Sequence, residues 1–60
     1  MMDAQIRITE QELEGTVFFH WQILREDGSV FATSAYHTNR DTCVKEANGT
    51  IAYYRSQDWL

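Results

Sequence analysis

The sequence predicts an α+β domain, a three-stranded antiparallel meander with one C-terminal helix packed on one face (βββα). Three observations predict it. Val17 to Arg25 alternates between a purely apolar and a mixed set of side chains. Asp27-Gly28 separates that run from a second alternating run, Val30 to Tyr36. Beyond it, Cys43, Ala47, Thr50, Ile51 and Tyr54 recur at helical spacing. With 60 residues, no proline, no repeat and no linker-like tract, the chain forms a single domain over 1–60.

The first strand is expected over Ala4–Thr9, with Ile6 and Ile8 on one face. The polar run Glu10–Thr16 carries Gly15 and reads as a turn. A short helix is the alternative there, because Thr9 and Glu12 have capping-box spacing. In the second strand, Val17, Phe19, Trp21 and Ile23 form the core face, and Phe18, His20, Gln22 and Leu24 the outer one. Asp27-Gly28 suits a two-residue type I′ loop. That loop sets Leu24 opposite Phe31, Ile23 opposite Ala32, Trp21 opposite Ser34 and Phe19 opposite Tyr36. Val30, Ala32, Ser34 and Tyr36 then share the core face, and the small Ala32 and Ser34 leave room for a helix across the sheet. Slipping this register by one residue would exchange the faces. Thr38 is the expected N-cap, with Asp41 three residues on. The helix should run to about Ser56 despite Gly49, which costs about 1 kcal/mol relative to alanine inside a helix. Asp58, Trp59 and Leu60 end the chain, and their apolar pair needs cover.

Composition narrows the function. The chain is 43% hydrophobic and 13% aromatic, enough to fold rather than stay disordered. A domain this size is marginal, and small scaffolds commonly add a disulfide, a metal or a partner subunit. Cys43 is the only cysteine, which excludes an internal disulfide and suits a reducing compartment. The N-terminal residues lack the apolar core of a signal peptide, and no run approaches a membrane span, so a cytoplasmic location is expected. Five basic against nine acidic residues give a net charge of −4, which repels phosphate backbones and disfavours general nucleic-acid binding. The acids Glu10, Glu12, Glu14, Glu26 and Asp27 solvate the turns, or they form a patch for a basic partner.

Catalysis finds little support. His20 and His37 fall as diagonal neighbours on the outer face in the register above, but two histidines make an incomplete metal site. Cys43 lies near a helix N-terminus, where a thiol is activated, yet on the apolar stripe, where a small packing residue belongs. The three glycines at 15, 28 and 49 form no phosphate-binding loop. No catalytic residue, metal or cofactor is expected.

The run WQILREDGSVFATSAY, followed by TNRDTC, resembles the YegP-like family of small uncharacterised bacterial proteins. Trp21, Ile23, Asp27, Gly28, Val30, Thr33, Ser34, Thr38 and Cys43 sit at matching positions over about Gly15–Cys43. The match departs after Tyr36, where one extra residue precedes the helix. It departs again after Cys43, where Asn48-Gly49 comes later than in the family. The resemblance implies three antiparallel strands and a helix per repeat, with single-repeat members pairing as homodimers. It implies no active site.

Phe18, His20, Leu24 and Phe31 on the outer face, with Tyr53 and Trp59, are the expected interface residues. They offer more aromatic surface than one small sheet and one helix hide. The expected function is a small protein-interaction module, homodimeric and suited to a basic partner such as a nucleic-acid enzyme or its regulator, in the manner of a phage-type inhibitor. The alternative is a small-ligand or nucleic-acid binder using Arg7, Arg25, Arg40, Lys45 and Arg55 beside aromatics.

Overall fold

The computed structural model describes residues 4–60 and has the βββα order expected. Strands β1 (Gln5–Leu13), β2 (Thr16–Leu24) and β3 (Val30–Thr33) form one antiparallel sheet in the order β1-β2-β3, followed by helix α1 (Arg40–Ser56).

The first hairpin is longer than the alternation of Ala4–Thr9 indicates. Nine residues of β1 pair with nine of β2 without a shift, from Gln5 opposite Leu24 to Leu13 opposite Thr16. The turn is therefore not Glu10–Thr16 but Glu14-Gly15 alone, and no helix forms there. Both turn residues have positive φ, 51° and 81°, as a two-residue type I′ loop requires. Glutamate is a poor strand former in isolation. Glu10 and Glu12 are held extended because they pair with Phe19 and Val17, residues that strongly favour a strand.

The second hairpin has a different turn from the one expected. Gly28 N–H donates to Arg25 C=O (2.9 Å) and Arg25 N–H to Ser29 C=O (2.8 Å), closing the three-residue loop Glu26-Asp27-Gly28. Among these three only Gly28 has positive φ, 89°, which is the arrangement of a type I turn followed by a glycine bulge. Asp27 Oδ1 accepts from the Ser29 N–H (2.9 Å) and hydroxyl (2.7 Å). These bonds hold the Asp27 carboxyl below its usual range. The extra loop residue puts Leu24 opposite Val30 rather than Phe31, and a bulge at Phe31 restores Ile23 opposite Ala32. A second irregularity follows. Ser34 N–H donates to Trp21 C=O (2.9 Å), but Trp21 N–H donates to Ser34 Oγ (2.9 Å) instead of the Ser34 carbonyl. The chain then rejoins β2 with His37, not Tyr36, opposite Phe19.

One face of the sheet is covered by α1. Trp21, Ile23, Cys43, Ala47 and Ile51 are buried there, with Ala4, Ile6, Ile8, Phe19, Phe31, Ala32, Tyr54 and Leu60 packed around them. The helix starts one residue later than Thr38 implied. Asn39 is extended (φ −121°, ψ 121°), and its side chain accepts from the Thr42 N–H at 3.0 Å, making it the N-cap. The helix runs through Gly49 because Ile51 and Tyr54 continue the buried stripe. It ends in a Schellman motif: Trp59 N–H reaches Tyr54 C=O (3.0 Å) and Asp58 N–H reaches Arg55 C=O (3.0 Å). Asp58 takes the left-handed position with φ 61°. This turn folds Trp59 back against Tyr54, ring centroids 5.5 Å apart, and seats Leu60 at the core edge, while Trp59 stays half-exposed.

Candidate interaction surface

Cross-strand partners share a face. The pairs Ile6–Ile23, Ile8–Trp21, Glu10–Phe19 and Glu12–Val17 therefore lie on the helix side, and Gln5–Leu24, Arg7–Gln22, Thr9–His20 and Gln11–Phe18 on the other. No described element covers this second face.

Of the residues expected at an interface, Phe18, His20 and Leu24 are together on the open face. Tyr36 joins them. Its ring meets His20 edge-on at 5.3 Å and Phe18 at 6.1 Å, and it remains 59% exposed. Val30, opposite Leu24, adds another exposed apolar side chain. The residue pattern places Tyr36 and Val30 on the core face, and the register shifts move both outward. Phe31 moves the opposite way. It packs edge-on against Tyr54 (5.1 Å) under the Arg25 guanidinium (4.9 Å), with the core residues, and is not part of the open face. Tyr53 and Trp59 are half-exposed but sit at the helix C-terminus, in contact with each other (5.9 Å) and with Tyr54, away from Phe18 and His20.

The histidines lie on opposite faces and hold no site together. His37 is on the helix side, where its Nε2 lies 3.1 Å from Glu46 Oε1. The Trp21 indole N–H donates to the same oxygen at 2.9 Å. This three-residue contact ties the helix to both ends of the Trp21–His37 stretch. The indole bond, then the imidazole one, holds the Glu46 carboxyl below its usual value of 4.5. A folded-state value below the unfolded one adds stability that is present above the ordinary carboxylate range and is lost as pH falls through the depressed value. Glu46→Gln is therefore expected to flatten the acid side of the stability profile. Melting temperatures of both chains between pH 7 and pH 3 check this, and parallel curves would disprove it.

Among the described residues, no group of three or more histidine, cysteine or acidic side chains is placed to hold a metal ion. Cys43 is fully buried, and burial raises its thiol pKa, opposite to the shift a nucleophile needs. The basic side chains of the ligand-binding alternative do not converge. Arg7 is on the open face and donates to Gln22 Oε1. Arg25 is engaged by Ser29 and the Val30 carbonyl. Arg55 reaches the Ala4 carbonyl, and Arg40 and Lys45 are on the helix.

The described acidic residues are sorted away from the open face. Glu10 and Glu12 lie on the helix side, Glu14, Glu26 and Asp27 in the turns, and Asp41, Glu46 and Asp58 on or after the helix. The open face thus carries aromatic, aliphatic, amide and hydroxyl groups and one described charge, Arg7. No family model matches the chain, and no curated protein or solved structure matches it.

Proposed function

We propose that this chain is a non-enzymatic, cytoplasmic protein-interaction module that binds another protein through the open face of its sheet. The observation that carries this reading is the segregation of charge: in a chain of net charge −4, one whole sheet face holds a Phe18–His20–Tyr36 cluster, Leu24 and Val30 but a single described charge. A solvated sheet face ordinarily alternates polar and charged side chains against the core, and a contiguous apolar patch marks a binding site. The single buried free thiol suits the reducing compartment that the cytoplasmic placement supposes.

Affinity capture from the native source with three baits tests the reading: the wild-type chain, Leu24→Asp on the open face and Lys45→Glu on the helix. Proteins retained by wild type and Lys45→Glu, but lost from Leu24→Asp, are expected; these include further copies of the chain itself. Capture that Leu24→Asp leaves unchanged would overturn the open face as the binding surface.

A further inference from the structure

We propose that the outer edge of β1, from Ile6 to Glu12, binds an extended basic segment of another protein as a fourth, antiparallel strand. This site is separate from the open face, because it uses the backbone of an edge strand and not the side chains of a sheet face. The backbone directions follow from the hydrogen bonds of β2. Phe19 exchanges two backbone bonds with His37, both of 2.7 Å, and the Trp21 carbonyl accepts from the Ser34 N–H. Phe19 and Trp21 thus turn their backbone groups toward β3, so Phe18, His20 and Gln22 turn theirs toward β1. Their partners Gln11, Thr9 and Arg7 are used by that pairing. Ile6, Ile8, Glu10 and Glu12 therefore point their N–H and C=O groups away from the sheet.

Among the described residues, no strand pairs with this edge and no hydrogen bond reaches those groups. The Arg55 guanidinium reaches the Ala4 carbonyl (3.3 Å), which closes the edge at that end only. Edge strands are ordinarily kept short, bent by a bulge or broken by proline. β1 is nine residues long, pairs with β2 without a shift and contains no proline. The first hairpin also lacks a third strand toward its tip. β3 pairs with Gln22, Ile23 and Leu24, and the chain after it last meets β2 at Phe19. From there to Glu14-Gly15 the described sheet is two-stranded, with Glu12, Leu13 and Val17 exposed. A two-stranded ribbon is marginal in water, and an added strand beside β1 supplies the third.

The edge is the site, and its side chains select the occupant. On the helix side it presents Ile6, Ile8, Glu10 and Glu12 at two-residue spacing. Among the described residues, no cation lies within ion-pair reach of Glu10 or Glu12. A second copy is a poor occupant. Turned antiparallel about Thr9, it sets Glu10 against Ile8 and Glu12 against Ile6. Shifted toward the turn, it sets acid against acid, which is destabilising. A strand reading basic-x-basic-x-apolar-x-apolar instead places its cations beside Glu12 and Glu10 and its apolar pair beside Ile8 and Ile6. The net charge of −4 favours its approach.

Fluorescence anisotropy with the end-blocked, labelled peptide Lys-Thr-Lys-Thr-Val-Thr-Val tests this. Saturable binding at low salt is expected, with a dissociation constant below about 1 mM. N-methylating the second lysine and the first valine removes the N–H groups that face Glu10 and Ile8, and should weaken binding at least about 10-fold. A peptide of the same composition with its lysines adjacent should weaken comparably. In the protein, Glu10→Pro removes an edge N–H that β2 does not use, so the circular dichroism spectrum should be kept while binding falls about 10-fold. Glu10→Gln keeps that N–H and loses only the charge, for about a 3-fold loss. Glu26→Gln, the same charge change in the second hairpin turn, should have no effect. Absence of binding by the parent peptide would overturn the inference. Equal binding of the N-methylated or reordered peptide would show charge attraction alone and also overturn it. So would a dimer of the chain by itself that Glu10→Pro dissociates, since a second copy would then hold the edge. None of these substitutions touches the open face, so the capture experiment decides that reading separately.

Discussion

Ile23→Ala is expected to leave the chain largely unfolded at 25 °C. Ile23 has no exposed surface and lies near the C-terminal end of β2, the middle strand, opposite Ile6 on one side and Ala32 on the other, beneath the helix. Truncating a fully buried isoleucine to alanine costs about 2–5 kcal/mol, because the transfer energy of three carbons is lost and the cavity collapses only in part. A single core in a chain of this size supplies about 3–5 kcal/mol in total. The two figures nearly cancel, so most of the folded population should disappear. The small neighbours Ala32 and Ala47 have no longer side chains with which to refill the space. Leu13→Ala, at the exposed tip of the first hairpin, is the control and should change stability by about 0.5 kcal/mol or less. Thermal and urea melts followed by far-ultraviolet circular dichroism measure both. An Ile23→Ala chain melting with wild type would show that the β2–helix contact is not what holds the fold.

Cys43 is expected to react with iodoacetamide at least about 100-fold more slowly in the folded chain than in urea, since access requires opening of a core worth a few kcal/mol. Two effects act in the same direction. The thiol has no exposed surface between β2 and the helix, and its burial disfavours the reactive thiolate. Labelling followed by mass spectrometry gives the rate directly. The same measurement on Ile23→Ala should show the protection gone, which connects the two expectations through a single opening event. Rapid labelling of the native wild type would restore Cys43 as a candidate nucleophile.

The open face was only half legible in the residue pattern. Phe18, His20 and Leu24 alternate with the apolar core set of β2, so their common face follows from the two-residue period of a strand. Phe31, Tyr36 and His37 were read on the wrong sides because each lies beyond a point where a residue is inserted relative to β2. The one local signal for the first insertion is that Asp27-Gly28 suits a three-residue loop with glycine last as well as a two-residue one. The second insertion depends on Ser34 Oγ replacing a backbone carbonyl at Trp21, a contact thirteen residues away in the chain. Trp59, turned back by the Schellman motif, meets Tyr53 and Tyr54 at the helix C-terminus, so this aromatic surface does not join the open face of the sheet.

Composition and periodicity alone were enough for the number and order of the elements, the core face of β2 and the helix stripe Cys43–Ala47–Ile51–Tyr54. These are set by the local alternation of apolar and polar groups, which holds whatever the neighbouring segment does. Where β1 ends, which turn is type I′, which residue caps the helix, and on which face Phe31, Tyr36 and His37 lie were decided only in three dimensions. The reason is that strand periodicity is relative. A bulge of one residue inverts the face of everything after it, and bulges are selected by the pairing and packing that result. Here those are the hydrogen bond of Ser34 to Trp21, the packing of Phe31 on Tyr54 and the Trp21–Glu46–His37 contact, which join residues distant in the chain.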